Sequence, residues 1–218
     1  MKKNISQQLL EFIENSPTCF HAVQAMTDIL SAEGFTELKE NQKWHIENGG
    51  RYFVTRNGSS LTAFTVPFQE MKGMHIIASH SDSPSFKIKE NPELESEGHY
   101  IRLNVEGYGG MIRAPWFDRP LSVAGRVIVK DKAQGGFRSI LVDIGRDLVM
   151  IPNLAIHMDR QINDSCKYNI QKDMLPIYGD LSAKGTFMKL IADTAGVPEE
   201  EILGHDLFLY NRQKGTVW

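Results

Sequence analysis

The chain sets a metal-competent base two residues from a carboxylate: His80 and Asp82, in Met74-His75-Ile76-Ile77-Ala78-Ser79-His80-Ser81-Asp82-Ser83, closed by Pro84. In an extended backbone that spacing puts both side chains on one side. A neutral imidazole beside a carboxylate suits a metal ligand with its orienting partner. The pair equally suits a general base held in one tautomer. A third reading is structural, a hydrogen-bonded histidine at a strand end followed by an aspartate that opens a turn. His-x-Asp alone does not choose among the three. The other candidates carry less. Cys166 has no C-x-x-C partner, and no G-x-S-x-G nucleophile elbow occurs. Glu199 and Glu200 follow Pro198, where carboxylates answer the positive end of a helix dipole. His21 falls in the first turn of a predicted helix, where partial exposure is ordinary.

The elements that would position His80 can be read outward from it. Ile76, Ile77 and Ala78 form a short apolar run bounded by polar residues, which suits a strand buried on both faces and, by periodicity alone, equally a buried helical turn. Pro84 ends it and favours an extended Ser83. In an open α/β sheet the carboxyl end of such a strand is where ligands bind. Upstream, Gln7 to Glu14 reads as a short amphipathic helix with Leu9, Leu10, Phe12 and Ile13 on one side. Ser16-Pro17-Thr18 breaks it. Thr18 is the candidate N-cap of a second helix running to about Glu33, with Gly34 beyond its end. Arg51 to Thr55 and Leu61 to Val66, on either side of Asn57-Gly58, predict a hairpin with a type I′ turn.

Downstream, Glu90 to His99 is polar and acidic with Pro92 and Gly98, and reads as a solvated linker at a domain boundary. Strand signals follow at Tyr100–Val105, Leu121–Lys130, Phe137–Asp143 and Leu148–Ile151, with Gln134-Gly135-Gly136 as a turn. Residues 108 to 120 are too rich in glycine, proline and aromatics for regular structure. Gly107 to Gly110 lacks the pattern of a phosphate loop. A helix is predicted from about Gly185 to Ala195, then a helical turn opened by Pro198, then a strand from Asp206 to Asn211.

The 218 residues are 41% hydrophobic and 23% charged, with net charge −3 and pI ≈ 6.2. Nothing in that balance recommends nucleic acid or an anionic membrane as partner. Lys2 and Lys3 are basic, but Gln7, Gln8, Glu11 and Glu14 leave no apolar signal-peptide core after them. Only two cysteines, Cys19 and Cys166, with no C-x-x-C motif in a chain this long, point to a reducing cytoplasm.

Together, six stretches resemble one family. They are Ser16-Pro17-Thr18-Cys19-Phe20-His21-Ala22-Val23, with Cys19 where proline is usual, and Tyr52-Phe53-Val54-Thr55-Arg56-Asn57-Gly58-Ser59-Ser60. The third, His80-Ser81-Asp82-Ser83-Pro84, has Ser81 for threonine. Tyr108-Gly109-Gly110, Trp116-Phe117-Asp118-Arg119 and Ile151-Pro152-Asn153-Leu154-Ala155-Ile156-His157 complete the set. They resemble, in order, the M18 metallopeptidases, the aspartyl aminopeptidase family. The resemblance implies an α/β fold: residues 1–90 as the N-terminal part of a zinc-peptidase-like catalytic domain, and 91–218 as an inserted, β-rich dimerisation domain with one or two helices. It implies a two-metal site, usually zinc, and removal of N-terminal residues, often acidic, from peptide substrates by homo-oligomers (dimers building dodecamers). By position His80 matches a metal ligand, Asp82 the catalytic carboxylate that orients it, and His157 a substrate-binding histidine. Family members continue past the position matching Trp218, and the remaining metal ligands lie there. The 218-residue chain is therefore expected to be inactive alone. The rival expectation is a non-catalytic oligomerisation module or pseudoenzyme fragment.

Overall fold

The structure, a computed structural model, describes residues 4–132 and 135–218. Lys2, Lys3 and Gln134, which entered the readings above, lie outside the described residues. The chain forms two compact units, one of residues up to Ser83 with Gly215–Trp218, the other Pro84–Lys214.

The first unit holds two helices and a small sheet. Helix α1 (Ile5–Glu14) starts at Asn4, whose side chain accepts from Gln7 N while the Gln7 side chain accepts from Asn4 N. That capping box satisfies two orphan N–H groups. Helix α2 (Cys19–Ala32) buries Phe20, Ala22 and Val23, whereas α1 buries no side chain. Thr18 stands at the N-cap of α2, but its hydroxyl pairs with His21 Nδ1 (2.9 Å) instead of capping. Strands β1 (Thr36–Leu38), β2 (Arg51–Arg56) and β3 (Ser60–Thr65) lie in the order β1-β2-β3, with β1 parallel to β2 and β3 antiparallel. Leu38, Tyr52 and Phe53 join α2 in the apolar core. Asn57 (φ 54) and Gly58 (φ 61) make the hairpin turn, and the ladder closes at Arg56↔Ser60, one residue wider than a two-residue loop.

The strand predicted at Ile76–Ala78 does not form. Residues 66–84 carry no helix or strand, and Ile76 and Ile77 are 79% and 99% exposed. An apolar run becomes a buried strand only when another strand pairs with it. Among the described residues none does.

The second unit is built on a six-stranded antiparallel sheet. Its strands are β4 (Ser85–Ser96), β5 (Tyr100–Tyr108), β6 (Leu121–Lys130), β7 (Phe137–Asp143), β8 (Ile177–Asp180) and β9 (Ile202–Asn211), in the order β7-β6-β9-β4-β5-β8. The predicted linker at Glu90–His99 is instead the second half of β4 and its turn into β5. A bulge between Ile88 and Glu93 takes up Pro92, and Glu97 (φ 53) and Gly98 (φ 66) make the turn. The acidic side chains read as solvation are engaged: Glu95 pairs with Lys184, and Glu93 accepts from the backbone of the following helix. That helix, α3 (Phe187–Ala195), ends at Gly196 in the left-handed region and buries Phe187 and Ile191 against the sheet's core cluster, which includes Phe86, Ile88, Leu103, Val127 and Leu207. Leu148–Ile151 contributes isolated bridges rather than a strand. Gly125 is required for backbone proximity: a Cβ there would stand 2.0 Å from Asp206 O across the β6–β9 seam.

Candidate functional site

The first unit presents His80 and Asp82 together. The His80 side chain is 81% exposed and that of Asp82 45%. His80 Nδ1 lies 2.8 Å from the Asp82 backbone oxygen and 3.2 Å from Asp82 Oδ1. A carbonyl oxygen can only accept, so Nδ1 carries the proton and donates. The Nε2 lone pair is then the free one, on an exposed ring. This is the tautomer a histidine adopts when its outer nitrogen serves as a ligand or base. His80 and Asp82 are held together by these hydrogen bonds without a strand. Ser81, between them, donates Oγ–H to Ser59 O (2.9 Å), which ties the segment to the β2–β3 hairpin.

The second unit carries His157 in an exposed turn of the irregular stretch between Ile151 and Met174. Asp118 sets the start of that stretch. Its N–H donates to Ile151 O (2.9 Å) and its Oδ1 accepts from Asn153 N (2.9 Å), with the residue itself at φ 56. Trp116 packs edge-on against Phe86 (5.1 Å) and Phe117 against Tyr168 (4.7 Å), so the Trp-Phe-Asp-Arg motif works as scaffold. The same stretch walls a cleft of about 420 Å³ lined by Tyr100, Arg102, Phe117, Leu154, Cys166 and Tyr168 among others. Sequence reasoning did not find this cleft, because its residues come from four separate segments. Cys166 is exposed, and its hydrogen bond holds the Tyr168 phenol above its ordinary value. Glu199–Glu201 forms a single 3-10 turn, with Glu201 paired to Lys132.

Elsewhere in the six-stranded sheet Asp206 bridges Lys87 (2.8 Å) and Arg126 (3.0 Å). Burial pushes the Asp206 carboxyl up, but the two cations outweigh it and hold it below the usual range. Burial, reinforced by Asp143, pushes the Tyr210 phenol up to about 12. Neither group is set up for proton transfer at neutral pH.

A catalytic zinc takes at least three protein ligands. Among the described residues no three His, Cys, Asp or Glu side chains gather as a metal-binding group. His80 with Asp82 offers one imidazole and its orienting carboxylate, which does not make a zinc site by itself.

A class emerges from comparison with known proteins. The sequence model of a peptidase family described as "Aminopeptidase I zinc metalloprotease (M18)" matches residues 12–218. A "Probable M18 family aminopeptidase 2" of Clostridium acetobutylicum is 47% identical over 97% of this chain and 50% of its own length. Among solved structures, that of Chaetomium thermophilum mApe1 superposes with TM-score 0.88 at 33% identity, covering 98% of this chain and 52% of that one. The S. cerevisiae mApe1 dodecamer gives TM-score 0.82 at 28% identity, with 99% and 50% covered. The chain belongs to the M18 peptidase family, and its mixed α/β fold is that of M18 aminopeptidase structures. It spans about half the length of the curated relatives it matches. No helix among the described residues is long and apolar enough to cross a membrane.

Proposed function

We propose that this chain serves a zinc-dependent aminopeptidase that removes N-terminal residues, acidic ones among them, from peptides. In this reading the first unit is the N-terminal part of the catalytic domain and the second unit the dimerisation domain. His80 is one metal ligand, Asp82 the carboxylate that orients it, and His157 a contact to substrate. The carrying observation is the exposed His80 ring with Nδ1–H committed to Asp82 and Nε2 free. Family membership and the name of the family as zinc metalloproteases support the metal. Two zinc ions, a homo-oligomer and a cytoplasmic setting belong to the same proposal, the oligomer by likeness to the mApe1 dodecamer. The 218-residue chain is inactive by itself, because one imidazole does not hold a catalytic zinc.

The test uses a relative of full length, such as the Clostridium acetobutylicum protein. Alanine at the position matching His80 should abolish turnover while the circular dichroism spectrum is kept. Surviving activity removes His80 from the site. Zinc titration calorimetry on the 218-residue chain should show no tight binding, and a submicromolar site there refutes the incomplete ligand set.

A further inference from the structure

We infer that Ser81 is a positioning residue: its hydroxyl, bound to the hairpin, sets the His80 imidazole in the tautomer that leaves Nε2 free. The inference rests on the proposed role of His80 as a ligand. Residues 66–84 carry no helix or strand, so no ladder fixes the backbone at His80. The hairpin beside it is regular. Strands β2 and β3 pair through six residues each, and Ser59 N donates to Arg56 O (3.1 Å) across the turn. Ser81 Oγ reaches Ser59 O on that platform from twenty-two residues away, at 2.9 Å and partly buried.

The link from Ser81 to the ring is mechanical. The donor, His80 Nδ1, belongs to the residue before Ser81, and the acceptors, Asp82 O and Oδ1, to the residue after it. Rotation about either soft dihedral of Ser81 separates them. A hydroxyl anchored to the hairpin restrains that rotation, so the hydrogen bond from His80 persists on an exposed ring that water would otherwise capture. Without the anchor the imidazole exchanges its bond to Asp82 for water, and nothing then favours the proton on Nδ1. Ser81 touches neither metal nor substrate in this account and acts only through His80.

The experiment compares Ser81→Thr with Ser81→Val, side chains of equal shape that differ by the hydroxyl, alongside Ser81→Ala. Long-range 1H–15N NMR of the 218-residue chain at about pH 8.5, where imidazoles are neutral, reads which nitrogen of His80 is protonated. The unsubstituted chain and Ser81→Thr should show the Nδ1–H form. Ser81→Val and Ser81→Ala should shift the Nδ1–H to Nε2–H ratio by about fivefold, the equilibrium factor of one ordinary hydrogen bond. Amide shifts of Asn57 and Gly58 report that the hairpin is intact. If valine keeps the Nδ1–H form, or threonine loses it, the role of Ser81 is overturned while His80 stands. If the unsubstituted chain already holds the Nε2–H form, the hydrogen bond from His80 to Asp82 is refuted and the role of Ser81 falls with it, while the His80→Ala test of the ligand reading stands apart.

Discussion

Helix α3 begins on a carboxylate that comes from far away in the chain, and removing it should be felt by the whole second unit. Glu93 Oε2 accepts from Gly185 N (2.6 Å) and Oε1 from Phe187 N (2.8 Å). The helix has no cap of its own. Thr186 at the N-cap makes no side-chain capping bond, and its hydroxyl instead donates to Ala183 O (2.7 Å). Glu93→Ala removes both acceptors and the negative charge at the positive end of the dipole. Losing a cap costs about 0.5–2 kcal/mol and losing the charge about 0.3–1. Because Glu93 is only half-buried, water replaces part of this, and a total of about 2 kcal/mol is expected. Glu93→Gln keeps one acceptor and should cost about 1 kcal/mol. For a unit of this size each kcal/mol moves Tm by roughly 4 °C, so the alanine variant should melt about 8 °C lower and the glutamine variant about 4 °C lower. Thermal denaturation followed by circular dichroism reads both. An alanine variant melting within about 1 °C of the parent refutes the capping role.

Two further predictions concern the same sheet. His205 is buried with a side chain 3% exposed, and neither ring nitrogen has a hydrogen-bond partner among the described residues. Burial lowers its pKa, with Glu90 and Asp206 opposing. The unfolded imidazole takes up a proton as pH falls through about 6.5 and the folded one resists, so stability should decline from about pH 6.5 downward. His205→Leu should flatten that decline and raise Tm at pH 5.5 more than at pH 7.5, and an equal rise at both argues against it. Gly125→Ala drives a methyl into Asp206 O and should cost about 3 kcal/mol, the upper end for overpacking. A variant melting with the parent shows that the seam yields.

What the sequence makes legible here is whatever a local pattern decides. Asn57-Gly58 supplies the two positive φ angles of the hairpin, Gly196 ends α3 in the left-handed region, and the strand signal read at Leu121–Lys130 coincides with β6. The failures share one cause, partners chosen at long range. Ile76 and Ile77 read as buried because apolar runs usually find a neighbouring strand, and here none pairs with them. Glu93 and Glu95 read as solvated because their partners, α3 and Lys184, lie some ninety residues downstream. At the candidate site, His80 and Asp82 were visible because a spacing of two needs no tertiary information. Ser81 was visible only as a spacer, since nothing near it in the chain announces Ser59 as its acceptor.

The strand order of the second unit bears on how the protein is made. β9, the last of its strands to be synthesised, lies between β6 and β4 and joins the β6–β7 hairpin to the β4–β5–β8 group. Until Ile202–Asn211 leave the ribosome the sheet lacks its central strand, so β6, rich in valine, and β4, with Phe86 and Ile88, each keep an unpaired edge. Such edges recruit other chains, and closure across so many intervening residues is slow. Chains that stop short of residue 202 leave both edges unpaired.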